Sequence, residues 1–295
     1  MTPDRYKKRN SEHFTSTLCK VGEFDLLSPK SILFLVCAII LFSSPVTASD
    51  LSLGVWQADG SQMWRITFPT NGASELYYPQ SAKYITATYE NRLPRHTLRI
   101  EGGFTTAGLS PATGSDSDWD YAQSQGLWYY GEFKSAGSSG FLNIDWAKPT
   151  AHGEVFIGYG YRYNHFLMTE GRYYIENYVN QNPVDTLSNL HSSYDMTYQG
   201  PHVGVRTESP LSSKLALTGT LSYSPLAYVA GHGWWNLRNL DFYHTGAGQM
   251  LDASIGIRYA PEGLKNGAVT VGYRYQRHSL LHGAESTNSA ITWDK

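Results

Sequence analysis

The sequence predicts an all-β fold, an antiparallel, transmembrane, up-and-down β-barrel of about ten strands. One observation is a repeated short alternation of apolar and polar residues, with each run bounded by Gly, Pro, Ser, Asn or Asp, which is typical of antiparallel strands separated by turns. Another is that no stretch after residue 49 offers the roughly 18 apolar residues that mark a membrane helix. A third is the high content of Tyr, Trp and Gly. The expected strands are Leu51–Phe68, Lys83–Asn91, Arg95–Thr105, Leu127–Lys134, Phe141–Trp146, Glu154–Asn164, Thr197–Thr207, Lys214–Tyr223, Asp252–Tyr259 and Ala268–Arg277.

The two faces of the expected strands differ in character. In the expected strand Glu154–Asn164, one face carries Val155, Ile157 and three tyrosines, and the other carries Phe156, two glycines and Arg162. An apolar band ending in tyrosines suits contact with lipid, and small or charged residues suit a packed or wet interior. A soluble β-sandwich would show the same alternation with fewer tyrosines at its strand ends. Because lipid offers no partners for open strand edges, we expect a closed barrel.

The connections between strands are of two kinds. Those near Leu93–Arg95, Lys148–Thr150, Ser209–Ser213 and Ala260–Asn266 are short, and those near residues 106–126, 165–196 and 225–250 are long. Short turns at one end and long loops at the other are typical of outer-membrane barrels, whose long loops are extracellular. Gly-rich stretches such as Gly137–Gly140 are interpreted as turns.

The chain is expected to have two regions. Residues 1–30 are polar and basic, Ser31–Phe42 is apolar, and the small residues Val46–Ala48 follow. This order predicts a signal peptide over residues 1–48, because the apolar core is shorter than the roughly 20 residues of a retained spanning helix. Residues 49–295 then form the barrel. Its closing strand is expected to be incomplete, through truncation of the chain or because the tail from Ser286 forms a short last strand.

The composition of the exported part excludes several classes of site. Both cysteines, Cys19 and Cys37, lie in the predicted signal peptide, so the mature chain has no disulfide and no thiol nucleophile. It retains 17 Lys and Arg against 21 Asp and Glu, a net charge near −4 that leaves no basic patch for nucleic acid. The ten histidines of the full sequence, nine of them in the exported part, are scattered without the spacing of a metal site. No cofactor and no metal is predicted.

A cluster of acids follows the third expected strand. Asp116, Asp118 and Asp120 are spaced two apart around Trp119. In extended backbone such residues project from one face, so their carboxylates stand side by side and repel unless they share a proton or bind something between them. A solvated acidic loop tip or a weak cation site is the alternative interpretation of the same residues.

The stretch from Glu101 to Asp120 resembles the third strand and second surface loop of the omptins, outer-membrane endoproteases of Gram-negative bacteria. The resemblance rests on Gly103–Gly108 and on the Asp-Ser-Asp-Trp-Asp run at Asp116–Asp120, and a weaker, collinear similarity extends over most of the chain after residue 50. It implies a ten-stranded barrel whose Asp116 and Asp118 help to hold an attacking water.

The resemblance also implies a histidine base on the far side of the barrel mouth, in an Asp-x-His dyad. A carboxylate two residues before a histidine shares its strand face and can orient the imidazole and raise its basicity. Neither candidate here has that acid, since Ala230 precedes His232 and Phe242 precedes His244. Asp241 with His244 is favoured, because an Asp-x-x-His needs only a one-residue bulge to bring the two together. His232 would need an acid from another strand.

Other features of the family are altered. The first strand, at Gln62–Arg65, lacks the acid on which the family's preference for basic substrates rests. Where omptins contact lipopolysaccharide in the fifth strand through a Glu and an Arg, this chain has Tyr161 and Tyr163, with Arg162 in the opposite register. Lipopolysaccharide is still the activating lipid that the resemblance implies.

The sequence is therefore consistent with two functions. One is a monomeric surface endopeptidase in the outer membrane that hydrolyses polypeptide substrates through Asp116, Asp118, Asp241 and His244. The other is a non-catalytic barrel that uses the same scaffold for adhesion, packing or limited permeation. The acid motif favours the first, and the altered dyad and missing pocket acid favour the second.

Overall fold

The described part of the chain folds into nine antiparallel strands. The computed structural model describes residues 49–68, 72–121, 126–262 and 267–287. In these ranges no helix is long and apolar enough to span a membrane. The strands are β1 (Ser49–Phe68), β2 (Gly72–Arg92), β3 (Thr97–Asp120), β4 (Gly126–Thr150), β5 (Gly153–Glu176), β6 (Val179–Pro210), β7 (Leu215–Trp235), β8 (Leu240–Tyr259) and β9 (Val269–Thr287).

The strands form one up-and-down sheet in which each pairs with the next along the chain. We call one end of the sheet the upper end. It is the end at which β1 joins β2, β3 joins β4, β5 joins β6 and β7 joins β8. The lower end carries the junctions at residues 93–96, 151–152, 211–214 and 260–268. Among the described residues, β1 pairs with β2 and β9 with β8, and no pairing joins β1 to β9.

The sheet curls so that its inner face encloses a common interior. The Trp56 ring on β1 stacks on Phe141 of β4 at 4.9 Å. The guanidinium of Arg274 on β9 lies 4.5 Å from the Trp56 ring centroid. Trp64 on β1 contacts the His244 ring on β8 at 4.8 Å. Side chains of the first and last strands thus meet in one interior, as in a barrel.

The expected division between outer and inner faces is confirmed on β5. Val155, Ile157 and Tyr159 are 46%, 63% and 47% exposed, whereas Phe156 and Arg162 are 4% and 8% exposed. Arg162 points inward and lies 3.1 Å from the Asp252 carboxylate of β8. An outer apolar band with a buried, partly charged interior is the arrangement of a membrane-spanning barrel.

The interior has a polar lower part and an aromatic middle. In the lower part, a cavity of about 60 Å³ is lined by paired charges such as Arg274 with Glu101 and Asp252, and Arg206 with Asp145. The aromatic middle is a buried stack in which the Tyr78 ring lies 4.6 Å from Phe166, 5.5 Å from Phe133 and 5.7 Å from Tyr194. The lumen is therefore filled by side chains, as expected for a small barrel.

Two expectations about connections are wrong. Gly137–Gly140 is not a turn but part of β4, because Gly140 pairs with Phe104 on one side and with Tyr163 on the other. Two expected strands thereby merge into one, so the described residues hold nine strands. The stretches expected as long loops are mostly strand, since β3–β4, β5–β6 and β7–β8 continue as hairpins almost to their tips. The predicted signal peptide and the tail after Thr287 lie outside the described residues.

Candidate active site at the barrel mouth

The acid pair lies near the upper end of β3 and faces the interior. Asp116 is opposite Leu76 of β2 and Gly131 of β4, and Asp118 is opposite Ser74 and Tyr129. Leu76 packs against the buried core, so the residues that share its face point inward. The acids belong to a continuous strand and not to a loop, which corrects the sequence-based expectation.

The environment of the pair opposes ionisation of both carboxyl groups. Burial, followed by the repulsion from Asp118, raises the pKa of Asp116 well above its usual range. Burial also raises the pKa of Asp118. A hydrogen bond with Ser74 and the charge of Arg238 in the β7–β8 turn lower that pKa in part. Both acids lie beyond the outer apolar band, which ends on β3 at Phe104. Two neighbouring carboxyl groups with raised pKa values favour a shared proton.

His244 occupies an inward position on β8, and its side chain is mostly buried. Its Nε2 atom lies 2.7 Å from Oε2 of Glu285, directly opposite on β9. Its Nδ1 atom lies 3.2 Å from the hydroxyl of Tyr194 on β6. A histidine held by a carboxylate at this end of the barrel has the partner that a general base requires.

Asp241 does not reach His244. The pairing of β7 with β8 is unbroken here, with Trp234 opposite Asp241 and Gly231 opposite His244, so the bulge expected between the two residues is absent. Their side chains therefore lie on opposite faces of β8. Asp241 instead bonds Nε2 of His232 at 2.8 Å on the outer face. The acid near the inward histidine is Glu285, which the sequence reasoning missed because a cross-strand neighbour leaves no short-range spacing to detect.

Two stacked tyrosines, Tyr78 and Tyr194, connect the acid pair with His244 at the base of the mouth. Tyr78 is two residues from Leu76 on the inner face of β2, next to the position of Asp116. Its ring stacks on that of Tyr194 at 5.7 Å with an interplanar angle of 7°. Tyr194 in turn contacts His244. The two tyrosines are almost completely buried and belong to the aromatic middle of the interior.

The crystal structure of the outer membrane protease OmpT from Escherichia coli is similar to this structure over most of both chains. The TM-score is 0.66, and the alignment covers 81% of this chain and 91% of the OmpT chain at 13% sequence identity. The chain has the omptin fold. A family model described as Protochlamydia outer membrane protein also matches residues 145–278. No curated protein sequence shows a significant match.

Within the omptin fold, the inner face at the upper end holds Asp116, Asp118, His244 and Glu285. Asp241 and His232 form a separate pair outside, where the His232 ring stacks on Tyr243 at 4.8 Å. No group of three or more His, Cys, Asp or Glu side chains in the described ranges is arranged to hold a metal ion. The titratable groups gathered at the mouth are thus three carboxyl groups and one imidazole.

Proposed function

We propose that this omptin-fold barrel is a surface endopeptidase of the outer membrane, in which Asp116, Asp118 and His244 act on a water that attacks a peptide bond. The observation that carries the proposal is that an inward acid pair and an inward histidine–carboxylate pair occupy the same end of the barrel. Glu285 replaces Asp241 as the partner of the histidine. The upper end is outside the cell, and lipopolysaccharide is the lipid around the monomeric barrel.

Each group has a role that follows from its surroundings. The acid pair shares one proton, so the ionised carboxylate orients the water and the protonated one donates a hydrogen bond to the carbonyl oxygen of the substrate. Nδ1 of His244 accepts a proton from the water as the new C–O bond forms. Glu285 stabilises the resulting imidazolium. Collapse of the tetrahedral intermediate returns that proton to the leaving amine, and the imidazole becomes neutral again.

The test is a cleavage assay with protein isolated from outer membranes and supplemented with lipopolysaccharide. A broad peptide library is incubated with the wild type and with Asp118→Asn, and the products are identified by mass spectrometry. We expect cleavage by the wild type and none by the variant, because the amide cannot hold the shared proton or an anionic charge. Failure of the wild type to cleave under any condition sinks the peptidase proposal and leaves the non-catalytic barrel.

A further inference from the structure

Both ring nitrogens of His244 are engaged in the structure. Nε2 faces Glu285 at 2.7 Å, and Nδ1 faces the Tyr194 hydroxyl at 3.2 Å. An ionised carboxylate can only accept hydrogen bonds, so Nε2 carries the ring proton. Nδ1 is then the acceptor, and the Tyr194 hydroxyl donates to it. One neutral tautomer satisfies all three groups.

Tyr194 is held in this position by its neighbours. Only 2% of the Tyr194 surface is exposed to solvent, and its ring stacks on that of Tyr78. On the adjoining strand β7, a Cβ atom at Gly231 would lie 2.9 Å from the Tyr194 hydroxyl and 3.3 Å from Nδ1 of His244. A Cβ atom at Gly233 would lie 3.2 Å from the Tyr194 ring. The two glycines thus leave the space in which the tyrosine and the histidine meet.

We propose that Tyr194 is a positioning residue whose hydroxyl caps Nδ1 of His244. The cap holds the tautomer that directs the Nε2 proton to Glu285, and it keeps water off the base nitrogen in the resting site. Its consequence for turnover rests on the proposed peptidase function, because the hydroxyl must leave Nδ1 before that atom accepts a proton from water. The contact itself can be tested without any activity.

The direct test compares Tyr194→Phe with Tyr198→Phe. Tyr198 is a matched control because it lies on the same strand and face, is also 2% exposed, and contacts Gln62 and His278 instead of His244. Histidine-selective ¹⁵N labelling, with a His244→Gln variant for assignment, reports the tautomer. The rate of modification of His244 by diethyl pyrocarbonate reports access to its free nitrogen.

In the wild type we expect the ¹⁵N signals of the neutral tautomer with the proton on Nε2. In Tyr194→Phe the Nδ1 signal should move to that of an unbonded nitrogen, and modification should be roughly three- to tenfold faster, the range that one neutral hydrogen bond accounts for. Tyr198→Phe should leave both readouts unchanged. Equal modification rates in wild type and Tyr194→Phe, or a ring proton on Nδ1, would overturn the cap.

Turnover then separates the two proposals. If the wild type cleaves peptides, Tyr194→Phe should raise kcat without changing KM, because the base is uncapped while the substrate contacts remain. A fall in kcat would instead show that the hydroxyl assists the reaction, and the cap would be rejected. If no variant cleaves, the peptidase proposal fails, and the tautomer and modification readouts still decide whether Tyr194 caps His244.

Discussion

At the residue scale, the folded structure disfavours the ionised forms of Asp116 and Asp118. Burial raises the pKa values of both Asp116 and Asp118, and repulsion from Asp118 raises that of Asp116 further. The folded state therefore binds protons more tightly than the unfolded state. Stability from this pair is therefore present at acid pH and is lost as the pH rises through the raised pKa values. Such a cost is tolerated where the charge serves a function.

This cost predicts a pH-dependent effect of Asp116→Asn. The amide has no charge to bury and also removes the repulsion, so the variant should be more stable than the wild type at neutral pH. The gain should disappear near pH 4, at the usual pKa of an aspartate. Urea midpoints in detergent at the two pH values measure this. Asp185→Asn is the control of opposite sign, because hydrogen bonds from Tyr173 and Thr186 lower the pKa of Asp185. A gain for Asp116→Asn that is the same at both pH values contradicts the prediction.

A second prediction at this scale concerns the partner of the histidine. Glu285→Gln should lower kcat by about a hundredfold or more, the contribution typical of a general base and its support. Asp241→Asn should keep the wild-type rate, since Asp241 bonds His232 on the outer face. Both variants are assayed with a peptide that the wild type cleaves. Loss of activity in Asp241→Asn with full activity in Glu285→Gln would restore the dyad expected from the sequence.

The site could be predicted from the sequence only in part. Asp116 and Asp118 are recognisable because their spacing and the tryptophan that follows form a local motif. Glu285 is not, because it meets His244 only through the register of β8 and β9. A spacing rule along one strand detects partners two residues apart and cannot detect a partner directly across the ladder.

At the element scale, irregular pairing in β3 decides where the acids point. On the lower side of the irregular pairings, the inward residues of β3 have odd numbers and include Glu101 and Thr105. On the upper side, the inward residues have even numbers and include Asp116 and Asp118. The shifts in pairing with β4 lie between Phe104 and Leu109 and between Leu109 and Ala112. A change of one residue turns every later side chain to the other face. Without it the acid pair would point outward.

A substitution at Gly108 is the best test of this irregular pairing. Its φ is +75°, and a Cβ atom there would lie 2.5 Å from the Gly137 carbonyl oxygen. We expect Gly108→Ala to destabilise the barrel by about 1–3 kcal/mol and to reduce cleavage by disturbing the segment that carries the acids. Gly102→Ala on the same strand is the control, since its Cβ would make an ordinary contact of 3.5 Å. Urea midpoints and cleavage rates that are equal for the two variants would count against this role.

At the scale of the whole molecule, the alternation of the sequence was sufficient to predict an antiparallel membrane barrel, and the comparison with OmpT supports that fold. The strand ends were not predictable in the same way. The polar, Gly-rich segment near residues 106–126 has the composition of a loop, but its described residues Ser115–Asp120 pair with β2 on one side and β4 on the other. Composition reports solvent exposure, and a hairpin that projects beyond a membrane is exposed without being a loop.

The barrel fold predicts a change in gel mobility on heating. A sheet whose backbone groups are paired along its strands resists detergent unfolding, so the unheated protein should stay compact in sodium dodecyl sulfate and migrate differently from the boiled sample. The protein should also fractionate with the outer membrane. Recovery as a soluble periplasmic species, with one mobility before and after boiling, would refute the membrane barrel.

The filled lumen predicts that the folded barrel carries no steady ionic current. The rings of Phe133, Phe166 and Tyr194 all pack against the buried Tyr78 ring in the middle of the interior, and the cavity in the lower part has a volume of only about 60 Å³. Small barrels of this kind leave no aqueous channel. Wild-type protein in planar lipid bilayers should therefore show no stable conductance steps, whereas Tyr78→Ala combined with Phe166→Ala should admit ions by removing the centre of the aromatic stack. The heat-dependent mobility shift serves as the control that each sample is folded, and large, steady currents from the folded wild type would contradict a sealed lumen.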